Sequence, residues 1–118
     1  MVDTSEKVPT HRTAVASCIV EMAPETLELI KNDQFQKGNV FEVARIAAIM
    51  ASKRTPDLIP MCHPIRIDSV DIRFSYVSET RIQITGTVKA FETTGTEMEA
   101  ISAVGVGAMV VYDMCKSV

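Results

Sequence analysis

Tryptophan is absent and aromatic residues make up only 5% of the 118-residue chain, so the flat ring platforms on which nucleic-acid bases stack are scarce. The net charge of −3 leaves no broad cationic surface for a polyanion, and nucleic acid is therefore not an expected partner. There are only three cysteines. Cys18, Cys62 and Cys115 are far apart and odd in number, and no CxxC or Cys/His pair has zinc spacing, which argues against a disulfide framework and against a structural zinc site. This usage fits a reducing, cytoplasmic compartment. Cys62 and His63 are adjacent, but neighbours on a strand point to opposite faces, so no protein metal site is expected from them. No apolar run reaches the ~20 residues that span a bilayer. The longest, Ala100 to Tyr112, has 13 residues and contains Ser102, Gly105 and Gly107, so it is expected to be a buried helix, with no membrane as partner. Met1 to Thr13 is polar and lacks the apolar core of a signal peptide.

What is present is ordinary for a folded protein: 47% hydrophobic and 23% charged residues, enough for one domain over 1–118. Its core must come from Ile, Val, Leu, Met and Ala, and Met50, Met61, Met98 and Met109 read as core filler. Alternation over Arg12 to Met22 predicts a first strand, and Pro24 followed by Leu27, Leu29 and Ile30 a short helix. After Lys37-Gly38, Asn39 reads as the cap of a second helix that ends near Lys53. Thr55-Pro56-Asp57 resembles a cap and a brief turn, and Pro60 and Pro64 bracket Met61-Cys62-His63 in a segment that cannot be helical. Ile65 to Val77 alternates apart from a phase slip at Asp68, then turns at Ser78-Glu79-Thr80 into a second alternating run from Ile82 to Ala90, which predicts an antiparallel hairpin. Thr96-Glu97-Met98-Glu99 has the Thr-x-x-Glu form of a capping box and opens a helix expected to run through Lys116. Along it, Ala100, Ala103 and Gly107 allow a neighbour to approach closely. The order β-α-α-β-β-α specifies an α+β fold, an antiparallel sheet with helices on one face, which a final strand would complete to a ferredoxin-like pattern.

Two groups of residues carry possible chemistry. Asp113 and Lys116 are three apart and share a helix face, and Glu99 lies 14 residues earlier on roughly that side. An exposed ion pair would mean little. The apolar stretch before them instead suggests a partly buried edge, where a lysine's pKa is depressed. Lys37, Lys53, Arg54, His63 and Arg66 form the second group, basic residues suited to a di- or triphosphate if they converge. Otherwise they are a solvated face, and His63 alone is commonly a structural histidine. No P-loop or GxGxxG is present.

Taken in order, Lys37-Gly38-Asn39-Val40-Phe41, Ala44-Arg45-Ile46-Ala47, Ser52-Lys53-Arg54-Thr55, Asp57 to Pro64 (DLIPMCHP), Thr94 to Ala100 (TGTEMEA) and Tyr112 to Lys116 (YDMCK) resemble the sequence blocks of the MoaC family across nearly the whole chain. The resemblance implies a lyase of molybdenum-cofactor biosynthesis, cyclic pyranopterin monophosphate synthase. It would convert a cyclised dihydro-GTP intermediate to cyclic pyranopterin monophosphate, with release of pyrophosphate. By matching position it implies Asp113, Lys116 and Lys37 as catalytic residues. Met61, Cys62 and His63 would form one substrate wall and Glu97, Met98 and Glu99 another, with Arg12 and Lys53 at the phosphates. It implies no resident cofactor, although Mg²⁺ can accompany the triphosphate. The implied assembly is a hexamer, a trimer of dimers, with its active site at a subunit interface. The sequence departs from the family in two places. Asn39 stands where an acidic residue is usual, and the family continues past Lys116 through a further strand and a Gly- and Lys-rich tail, so the chain reads as short at its C-terminus. The competing expectations are a non-catalytic ferredoxin-like nucleotide-binding module and a plain oligomerisation protein.

Overall fold

The computed structural model describes all residues, 1–118. The elements run β1 (Thr10–Glu21), α1 (Pro24–Lys31), α2 (Val40–Lys53), α3 (Thr55–Leu58), β2 (Ile67–Tyr76), β3 (Arg81–Glu92) and α4 (Glu97–Cys115). The sheet has the order β1-β3-β2 and both pairings are antiparallel, giving the α+β, ferredoxin-like arrangement that the pattern predicts. Alternation places Ile82, Ile84, Val88 and Ala90 of β3 on one buried face, where Ile72 of β2 and Ala103, Val104 and Val111 of α4 close over them. The phase slip at Asp68 is a β-bulge: Ile67 pairs with Ala90 and Ser69 with Lys89, which leaves Asp68 without an opposite residue.

Small residues let α4 sit close to its neighbours. A methyl at Gly107 would lie 3.6 Å from both Ala48 Cβ on α2 and Ile84 Cδ1 on β3, and one at Gly86 would meet Val104 Cγ1 at 3.1 Å. The 19-residue α4 is long and apolar enough to cross a membrane, but here it buries Ala100, Ala103, Gly107 and Val111 within the domain.

Four local expectations need correction. Thr96 does not form a capping box. Its backbone (φ −108°, ψ 13°) lacks the extended geometry that aims a cap side chain at the following N–H groups, and its buried hydroxyl donates to Val88 O at 3.1 Å. Helix α4 ends at Cys115, so Lys116 follows it as the cap. The brief turn at Thr55 is there as α3, but Thr55 is its first residue and not its cap; the hydroxyl donates back to Ala51 O and Ser52 O, both at 3.0 Å, and closes the end of α2. The methionines are mostly not core filler: Met50, Met61 and Met109 are 56%, 71% and 62% exposed, because they fall on the outward sides of their elements. Asn39 caps α2 as expected, its side chain accepting from Glu42 N–H at 2.9 Å.

Candidate functional site

The Pro60 and Pro64 bracket keeps residues 59–66 out of regular structure and carries them past the start of α4. There the chain builds a cleft of about 420 Å³, lined by Met61, Cys62 and His63 on one side and by Thr94, Gly95, Glu97, Met98 and Glu99 on the other. The two walls expected from sequence therefore converge. Ile59, Thr94 and Gly95 extend the expected walls, and three further lining residues were signalled by nothing in the motif blocks: Val2, Thr4 and Lys7, from the segment before β1. Nothing in their residue types signals this, because a polar segment ahead of the first strand carries no periodicity.

Glu99 is buried at the inner end of the cleft, and desolvation pushes its carboxyl up from the ordinary 4.5, with the charge of Glu97 adding to the rise against its own backbone N–H. Burial likewise raises the Cys62 thiol, with Glu99 reinforcing it. His63 is half-buried, with Nε2 2.6 Å from the carbonyl oxygen of Val2. No three His, Cys, Asp or Glu side chains converge as a metal-ligand group.

A second cluster lies at the far end of α4. One carboxylate, Asp113, takes Lys116 Nζ at 3.0 Å on Oδ1 and Lys37 Nζ at 3.4 Å on Oδ2, and Lys37 also donates to Asp113 O at 3.1 Å. Lys37 reaches it because it precedes α2, which runs antiparallel to α4. The hydrogen bonds from Lys116 and then Lys37 hold the Asp113 carboxyl below its usual range. Lys116 was expected to have a depressed pKa, but its pKa is raised: the helix end is exposed, and the Asp113 carboxylate favours the ammonium form.

The structure separates other residues that the sequence grouped. Lys37 lies at one end of α2, and Lys53 and Arg54 at the other, about 20 Å away at 1.5 Å per residue. Lys53 lines a separate groove with Ile49, Ile67 and Ser69. Arg12, on β1, donates from Nε to Glu92 O at 3.5 Å, and Arg66 N–H donates to the Glu92 carboxylate at 2.9 Å, so both stand at the cleft end of the sheet without lining the cleft. Glu99 and Asp113 lie on roughly the same side of α4 but at opposite ends of it, one buried and the other exposed.

Between the two clusters, α4 has no charged side chain from Ala100 to Tyr112. Its outward stripe of Ile101, Gly105, Met109 and Tyr112 lies beside Val43, Ile46 and Met50 of α2, all exposed. Gly105 is open, with nothing within 4 Å of where a methyl would stand. This apolar face is unusual for a solvated surface.

Comparison with known proteins agrees with the motif blocks. The sequence matches the profile of the MoaC family over residues 1–118. It is 51% identical over 117 residues to a cyclic pyranopterin monophosphate synthase of Brevibacillus brevis, covering 99% of this chain and 73% of that protein. It is 53% identical over 118 residues to one of Desulforamulus reducens (100% and 72%), and 51% identical over 119 residues to one of Clostridium perfringens (100% and 75%). Profile and relatives cover the cleft walls and the Lys37–Asp113–Lys116 cluster alike, and the chain belongs to the MoaC family.

Proposed function

We infer that this protein is a lyase, a cyclic pyranopterin monophosphate synthase of molybdenum-cofactor biosynthesis that acts on a GTP-derived small molecule and releases pyrophosphate. The observation that carries the reading is the convergence of Met61-Cys62-His63 with Glu97-Met98-Glu99 around one cleft, in a chain about half identical to proteins of that name. The chemistry fits the residues. Carboxylates of Glu97 and Glu99 suit the amino and ring N–H donors of a guanine-like base. Rearranging the ring requires proton transfer, for which Asp113 and Lys116 are the acid/base residues, with Lys37 as a further catalytic lysine. Expelling pyrophosphate as the cyclic phosphate closes requires fixed positive charge on the leaving group, a role we assign to Arg12 and Lys53, although neither lines the cleft of a single chain. No resident cofactor is assigned, and Mg²⁺ can accompany the substrate's triphosphate without a dedicated protein cage.

The working unit is a homo-oligomer, a hexamer built from dimers, in the cytoplasm. Glu99 and Asp113 are 14 residues apart on one helix, about 21 Å, too far for one small substrate to meet both within a single chain. A two-fold axis near Gly105 would set α4 antiparallel to its copy, cover the apolar stripe, and bring the partner's lysine-bearing end to the acidic cleft. The charges are complementary, Lys37 and Lys116 against Glu97 and Glu99. Gly105 permits the close approach.

The test is direct: protein supplied with the cyclised dihydro-GTP intermediate releases pyrophosphate, and Lys116→Ala or Asp113→Asn slows release by at least about 100-fold. Wild-type rates in either variant would refute the role assignment, and no turnover by the wild type would refute the activity.

A further inference from the structure

The segment ahead of β1 makes a contact that the family motifs do not account for. His63 Nε2 lies 2.6 Å from the backbone oxygen of Val2, while Thr4 and Lys7 line the same cleft as His63. A carbonyl oxygen can only accept a hydrogen bond, so Nε2 must carry the proton. In the neutral ring the lone pair then sits on Nδ1, which has no partner within the chain. The rest of the segment is turned on itself by Ser5 N–H to Asp3 Oδ1 at 2.9 Å and Lys7 N–H to Thr4 O at 3.1 Å.

We propose that the Val2 carbonyl fixes the tautomer and orientation of His63, presenting an unprotonated Nδ1 to the substrate, so that residues 1–7 form a third wall of the cleft and Val2 is a positioning residue. The proposal rests on reading the cleft as the substrate site. It gives His63 a defined part as a hydrogen-bond acceptor or base through one nitrogen, with the other committed to the backbone. The titratable groups around it are Asp3, Lys7, Cys62, Glu97, Glu99 and the α-amino group of Met1, which meets Met61 Sδ at 3.5 Å. The Val2 carbonyl is the one backbone acceptor that meets the ring, so losing it frees Nε2 and removes the preference for one tautomer.

Two measurements test it. In free protein labelled with ¹⁵N-histidine, the Nε2 proton of His63 should appear as a slowly exchanging resonance, and a variant lacking Val2, Asp3 and Thr4 should lose it. Its two ring nitrogens should then give averaged ¹⁵N shifts in place of the distinct pair of a fixed tautomer, which a purely structural loss elsewhere would not do. A proton on Nδ1, a freely averaging ring in the wild type, or an unchanged resonance in the variant would overturn the proposal, and the resonance is read whether or not the protein turns over. The second measurement places an amide at each ring-nitrogen position in turn. His63→Asn puts an acceptor near Nδ1 and should keep KM within about tenfold of wild type, whereas His63→Gln fills the Nε2 position and should raise it further. Equal effects, or the reverse order, would assign the substrate-facing role elsewhere.

Discussion

Glu99 and Asp113 stand at opposite ends of α4, one buried in the cleft and the other exposed between two lysines. A helix is a rigid spacer, so the separation of about 21 Å is fixed and cannot be closed by side-chain motion. Either the two clusters act on different molecules, or a second chain brings the missing half. The apolar stripe between them favours the second, because it would otherwise leave Ile101, Met109 and Tyr112 in water.

This arrangement predicts complementation. Glu99→Gln and Lys116→Ala should each be nearly inactive, since each damages every site. Mixed, dissociated and reassociated, they should recover about a quarter of wild-type pyrophosphate release, because half of randomly paired dimers carry one intact site of two. A mixture no better than its components would mean that both residues act within one chain.

The apolar face should tolerate no charge. Ile46→Glu together with Met109→Glu is expected to leave far-UV circular dichroism unchanged, because both side chains already point outward. It should reduce the sedimenting mass and lower activity by at least about tenfold, since an unpaired carboxylate in a closed apolar contact costs several kcal/mol. An unchanged mass would remove this face from the assembly.

Most of the fold was legible in the sequence because alternation and helical spacing are local: β3 could bury only one side, and even the bulge at Asp68 showed as a break in phase. The cleft walls were legible as motif blocks, and their convergence was not, because it depends on where the loop after α3 crosses α4. Two errors share a cause. Reading Met50, Met61 and Met109 as core, and Lys116 as desolvated, treats apolar character as burial within one chain, whereas these residues lie on a surface that this chain leaves open. Thr96 shows the limit of motif reasoning, since its ψ of 13° sends the hydroxyl to β3 instead of to its own helix.

Glu99 should make stability depend on pH in a defined direction. Its folded pKa lies above the ordinary 4.5 because burial disfavours the carboxylate, so the folded state binds the proton more tightly. The stabilisation is complete below about 4.5, and it is lost as pH rises through the raised folded value. The difference in urea midpoint between wild type and Glu99→Gln should therefore fall with pH across that window and then level off. A difference that is flat or rises with pH would show that Glu99 is not desolvated.

Gly107 tests whether the packing of α4 on α2 positions the Lys37–Asp113 contact. A single methyl would stand 3.6 Å from Ala48 Cβ and Ile84 Cδ1, an ordinary contact, so Gly107→Ala should gain up to about 1 kcal/mol from helix propensity. Gly107→Leu has no such room, and overpacking there should cost about 1–3 kcal/mol by forcing α2 and α4 apart. Lys37 reaches Asp113 only because those helices are close, so the leucine variant should also weaken that contact and lose activity beyond what its unfolded fraction explains. Thermal melts and pyrophosphate release, measured on both variants well below their midpoints, separate the two effects. A leucine variant as stable and active as the alanine one would mean that close helix packing does not hold this cluster together.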